Sequence, residues 1–146
     1  MPLSVTEIVT DHQAYAARRP AARRRMIPLR AERRVRVGDM IVFEFENADT
    51  LRYQVQEMVY TERLSDPAEV AHEVDAYARM LPTSHELCAT MFIELPELAT
   101  VRSELRRLAG VQHGVRLDVG GVAVPGVELA GLDEDPDRPG ETVAVH

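Results

Sequence analysis

The sequence predicts an α+β protein. It should have a mainly antiparallel sheet, an Arg-rich helical segment at the N-terminus, and two or three further helices packed on the sheet. Three observations predict this. The hydrophobic period changes from helical to alternating near residue 35. Strands then come in runs with helices inserted between them, not in strict β–α alternation. No Gly-rich phosphate loop follows any strand, which argues against a nucleotide-binding βαβ fold. The 146 residues fit one domain. Within it, residues 1–34 read as a basic helical segment and residues 35–146 as the α+β body.

Each element has a local reason. Thr6 to Tyr15 reads as a short helical opening. Pro20 suits the first turn of a second helix, "PAARRRMI", and Pro28 should end or kink it, because proline lacks an N–H and disfavours helical geometry at Ile27. In "VRVGDMIVFEFENADTLRYQVQEM" the period is two: Ile41, Phe43 and Phe45 fall on one face, and Val42, Glu44 and Glu46 on the other. Val35–Val37, Ile41–Glu46 and Thr50–Val55 are therefore read as an antiparallel meander, with a turn at Asn47, Ala48 and Asp49. On this reading Gln54 and Gln56 share a sheet face that is either exposed, the favoured case, or lines a polar cavity beneath a covering helix, where their groups must be paired. The chain turns helical near Gln56.

In "DPAEVAHEVDAY", Asp66 as N-cap, Pro67 at the first helical position and Glu69 two residues later start a helix that runs to Leu81 and stops at Pro82. "ELCATMFIEL" is apolar on both faces and reads as a central strand. A helix spans Pro96 to Gly110, its C-terminal glycine in place. Gly120-Gly121 joins Val115–Val119 to Val122–Val124 as a two-residue hairpin. "GLDEDPDRPGE" reads as an acidic loop and "TVAVH" as a last strand.

Charge is divided unevenly. All 17 basic residues are Arg. Residues 1–36 carry nine of them against three acids, and residues 37–146 carry eight against 21, which together give the net −7. A basic arm on an acidic body binds an anionic partner, such as nucleic acid or a phosphorylated ligand, or, more often, folds back on that body or on another copy of it. Nucleic acid is disfavoured, because the body's field repels a polyanion. The single cysteine, Cys88, excludes an intrachain disulfide and a Cys-based zinc cage. With no apolar signal sequence at the start and no membrane-spanning run, a cytoplasmic location is expected.

Candidate chemistry concentrates in the helix after Asp66. Glu69-x-x-His72 is half of the motif that di-iron bundles use twice, and Asp75 lies one turn further on. With Glu57, and with Glu62 or His85 from neighbouring segments, these residues form a carboxylate–histidine set suited to divalent iron, manganese or zinc. Against this, the helix places His72, Glu69, Asp75 and Arg79 opposite the apolar stripe of Val70, Val74, Tyr77 and Leu81. A capped amphipathic helix with a solvated polar face accounts for the same residues. Cys88 sits in a strand read as buried, where a thiol acts as a small hydrophobe.

The run from "FEN" through "T-x-R-Y-Q-V-Q-E-M", "E-V-D-A-Y", "L-P" and "A-T-M-F-I-E" resembles a bacterial family of unassigned activity, the domain of unknown function numbered thirty-five-oh-one. The Arg-rich lead into "RRVRVGD" and the Val-rich close look like the same family. The resemblance spans most of the chain and transfers no catalytic residue. Pro28, in a segment that looks more continuous in relatives, and Ala76, where relatives tend to have Thr, depart from the pattern. Family members are often encoded beside rubrerythrin-like and iron–sulfur oxidoreductase proteins, which implies a place in a redox or peroxide-handling system.

Two expectations follow. The first is a non-enzymatic accessory that docks on such a redox protein through Arg18–Arg36, with Arg23, Arg24, Arg30, Arg33 and Arg34 as contacts. The second is a metal-binding protein or enzyme holding non-haem iron, manganese or zinc on Glu57, Glu69, His72 and Asp75. A homodimer, basic arm on acidic body, is compatible with either.

Overall fold

In a computed structural model, residues 2–129 are described. The acidic loop and the "TVAVH" strand expected from sequence lie outside them. The chain is α+β. Helices α1 (His12–Ala31), α2 (Ala48–Thr61), α3 (Pro67–Ala78) and α4 (Val101–Arg107) accompany strands β1 (Arg34–Val37), β2 (Ile41–Phe45), β3 (Ala89–Ile93), β4 (Arg116–Val119) and β5 (Val122–Pro125). The strands form a three-stranded sheet in the order β1-β2-β3 and a separate β4-β5 hairpin. By contacts the chain divides into two compact units, Met1–Arg36 with Phe43–Thr90, and Val37–Val42 with Met91–His146.

In the first unit the arginine segment is one continuous helix. Asp11 caps α1 by accepting from the N–H groups of Gln13 and Ala14, at 3.0 Å each. The helix runs through both Pro20 and Pro28 without ending. Each proline removes one backbone donor. Ala and Arg, strong helix formers, fill the positions around them and carry the helix past both. The helical opening expected over Thr6–Tyr15 is instead a single 3-10 turn, Val5–Glu7, before the Asp11 cap.

The expected third strand of the meander, Thr50–Val55, is the first half of α2. The reason lies in residues the alternating reading left out. Asn47 and Thr50 form a reciprocal capping box, each side chain bonding the other's backbone N–H at 2.9 Å. Leu51, Val55, Met58 and Val59 then recur at helical spacing, and Leu51, Val55 and Val59 are fully buried. Leu51 and Val55 fit either period, and continuation to Val59 decides for the helix.

After α2 the chain turns at Arg63, whose φ of 59° is the left-handed value that ends many helices. Leu64 N–H closes back on Val59 C=O at 3.0 Å. Helix α3 begins at Pro67 under the Asp66 cap, which accepts from Ala68 N–H at 2.7 Å, as the sequence indicated. Val70 and Val74 meet Val55 and Val59 in the core, with Leu3, Ile8, Leu64 and Tyr77 at its margin. Gln56 is buried rather than exposed. Its amide bonds both the N–H and the C=O of Val9, at 2.7 and 2.9 Å, as a backbone strand would.

Among the described residues the sheet order makes β2 the central strand and β3 an outer one, where the apolar "ATMFI" run predicts a central one. The residues of β3 are all half-buried. In the second unit α4 is shorter than its Pro96–Gly110 forecast, preceded by a 3-10 turn and followed by Gly110 at φ 83°. The β4-β5 hairpin forms where expected, with Gly120 and Gly121 at φ 56° and 85°.

Candidate functional site

The most demanding chemistry of the first unit lies on the inward face of β2. Glu44 is 0% exposed and Glu46, one residue past the strand, 2%. A buried carboxylate is costly unless paired and hydrogen-bonded, and each of these is. Arg30 Nε, from the last turn of α1, donates to Glu44 Oε1 at 2.6 Å, and Arg34 Nε, from β1, donates to Oε2 at 3.1 Å. The bond to Glu44 holds the Arg30 pKa above its ordinary value. Glu46 is met by neutral donors. Gln54 Nε2 and Thr90 Oγ1 donate to Oε1 at 2.9 and 2.6 Å, and Thr50 Oγ1 donates to Oε2. Arg33 turns to the backbone, its Nε donating to Phe45 C=O at 2.6 Å and its Nη2 to Glu46 C=O at 3.3 Å.

A second cluster joins α1 to α2 at Glu57. Tyr15 Oη donates to Oε1 at 2.8 Å, and Arg19 binds both oxygens through Nε and Nη2, the latter at 2.8 Å from Oε2. The Arg19 guanidinium lies 4.9 Å from the Tyr60 ring centre, and Tyr15 meets the same ring edge-on at 5.4 Å. Burial, and then the Glu57 bond, push the Tyr15 pKa well above 10.0, the usual phenol value. For Glu57, burial pulls upward, but the bonds from Arg19 and Tyr15 win and leave the carboxyl below its ordinary range. Both oxygens are occupied, so this is a clamp between two helices and not a base facing a cavity.

The residues the sequence offered as metal ligands are placed apart in character. Glu57 is engaged in that clamp. Glu69, His72 and Asp75 are exposed on α3, away from buried Val70 and Val74, and Glu62 and His85 are exposed as well. Among the described residues no group of three or more His, Cys, Asp or Glu is arranged to hold a metal ion. Cys88 is half-buried, and burial, with the Glu46 charge behind it, raises its thiol pKa. An activated thiolate needs the opposite shift.

Sequence reading missed Glu44 and Glu46 as buried partners, along with Tyr15 and Arg19. The more apolar face of the strand, Ile41, Phe43 and Phe45, is only half-buried, and the face with Val42 and Glu44 is the inward one. The one signal in the sequence was a pair of glutamates downstream of nine arginines.

Of the five arginines expected to dock, Arg30, Arg33 and Arg34 are thus engaged within the chain. Arg23 and Arg24 are exposed on α1, with Arg18 and Arg25 beside them. A shallow groove of about 450 Å³ runs along this helix, lined by Ala16, Arg19, Pro20, Arg23, Arg24 and Ile27 with Tyr60. Ile27 is 67% exposed.

Comparison with known proteins returns a family model described as a protein of unknown function (DUF3501), which matches residues 2–146. The chain belongs to this family. The DUF3501 fold is similar to that of a crystal structure described as a novel protein of unknown function from Burkholderia pseudomallei K96243, at 30% identity and a TM-score of 0.79 over 94% of this chain and 70% of that one. No curated protein matches. Among the described residues no helix is long and apolar enough to cross a membrane.

Proposed function

We propose that this DUF3501 member is a non-catalytic docking protein whose α1 helix receives an acidic surface of a partner protein. The observation that carries the reading is the division of the arginines. Arg19, Arg30, Arg33 and Arg34 serve buried or half-buried acceptors within the chain. Arg18, Arg23, Arg24 and Arg25 stay in solvent, and among the described residues they form no hydrogen bond or ion pair. Exposed Ile27 stands among them. An apolar anchor with a charged rim is the usual anatomy of a protein interface, and arginine is enriched at its energetic centre. Acidic protein fits better than nucleic acid, because residues 37–146 carry eight arginines against 21 acids and repel an extended polyanion.

The family resemblance points to a redox protein, rubrerythrin-like or iron–sulfur, as that partner. Calorimetric titration of the chain against a rubrerythrin-like protein and an iron–sulfur oxidoreductase of the same genome tests it. Binding to one of them should weaken with added salt and be lost in Arg23→Glu/Arg24→Glu. No binding at low salt, or binding untouched by the double variant, overturns the reading.

A further inference from the structure

Every residue of both strands of the β4-β5 hairpin is exposed. Its register sets Leu117 opposite Val124 and Val119 opposite Val122, so four large apolar side chains share one face. They are 42%, 47%, 56% and 64% exposed for Leu117, Val124, Val119 and Val122. A two-stranded hairpin with such a face is marginal in water and gains from a further strand.

The two edges of the hairpin are not equivalent. Gly126 N–H bonds Val115 C=O at 2.8 Å, and antiparallel pairs alternate between hydrogen-bonded and open. Val115 and Leu117 therefore point their backbone groups toward β5, while Arg116 and Asp118 point theirs outward. On β5 the outward positions are Ala123 and Pro125, and Pro125 has no N–H to give. Among the described residues, the β4 edge is the one open to another strand.

We propose that β4 pairs with β4 of a second copy of this chain, antiparallel, about a two-fold axis through Leu117. In this register Arg116 faces Asp118 of the other copy, twice, and these four residues exchange the outward backbone bonds. On the other sheet face Leu117 meets its own counterpart in an open pair, where side chains approach most closely, and Val115 meets Val119 twice. All five cross-strand pairs match. A register centred on Arg116 or on Asp118 sets like charges opposite each other, which costs specificity and stability. A two-fold axis makes the contact self-complementary and closed. The hairpins merge into one four-stranded sheet by edge addition. The proposal does not depend on the α1 docking reading.

Sedimentation of the full chain across a concentration series tests it. Wild type should pass from monomer to dimer as concentration rises. Arg116→Asp alone, or Asp118→Arg alone, should weaken the dimer about tenfold by facing like charges twice. Arg116→Asp with Asp118→Arg should restore it, a rescue that a merely disordered hairpin does not give. A wild type that stays monomeric up to millimolar concentration overturns the proposal. So does a dimer that both single variants leave intact, or one that the double reversal fails to restore.

Discussion

Acidic residues in two stretches of the first unit have opposite fates. In α3, Glu69 and Asp75 flank His72 in a pattern that reads as metal chemistry, yet all three lie in solvent. Glu44 in β2 and Glu46 just past it belong to an ordinary-looking strand segment, yet both are almost completely buried and hydrogen-bonded. A motif's spacing says which side chains share a face. Whether that face points inward is decided by the apolar residues around it. Val70 and Val74 turn His72 outward, whereas Arg30, Arg34, Gln54, Thr50 and Thr90 make an inward carboxylate tolerable.

The largest effects should therefore come from β2. Glu44→Ala removes the carboxylate that Arg30 and Arg34 both bond. Because those arginine side chains are 33% and 40% exposed, water takes up part of the loss. The cost should be about 2 to 3 kcal/mol, below the penalty for breaking a pair buried on both sides. Urea unfolding at neutral pH measures it, and a loss under about 0.5 kcal/mol, the size of an ordinary surface change, erases the contrast between the regions. Glu46→Gln should cost less, about 1 kcal/mol. Its two hydroxyl donors, Thr50 and Thr90, can turn and accept from the new amide, whereas arginine cannot accept at all.

Glu57 sharpens the comparison through pH. Its folded pKa lies below the ordinary 4.5 because Arg19 and Tyr15 outweigh burial. A carboxyl depressed in the folded state contributes stability that is fully present above its unfolded pKa and is lost as pH falls through the folded one. Glu57→Gln should therefore cost about 1 kcal/mol at neutral pH and flatten part of the acid limb of the stability curve. A variant whose acid limb matches wild type shows that the clamp does not couple protons to folding.

Much of the fold was legible in the sequence, and the failures share a cause. Local signals sufficed for the Asp66 cap, the Gly120-Gly121 hairpin and the strand Ile41–Phe45. Thr50–Val55 failed because Leu51 and Val55 satisfy two periods at once, and only the Asn47 box and Val59 separate them. Pro20 and Pro28 failed because a helix-breaking preference was weighed without the helix formers on either side. The site was harder still. Arg30 and Glu44 are 14 positions apart, Tyr15 and Glu57 42, and Glu46 and Thr90 44. No periodicity within one element announces such pairs, and they become visible only once α1, β2 and α2 are placed together.

The smallest expected effect falls on the motif that looked most like chemistry. His72→Ala removes an exposed imidazole from a face that contributes nothing to the core, so its cost should stay within about 0.5 kcal/mol. Asp66→Ala, a few residues upstream, should cost about 1 kcal/mol, because the lost bond is the one that starts the helix. Elemental mass spectrometry of wild type and His72→Ala, both purified without air, should give the same metal content. A loss of bound iron, manganese or zinc in the variant alone would make His72 a ligand. The exposed face of α3 would then have to find its remaining ligands outside the described residues, on residues 130–146 or on a second chain.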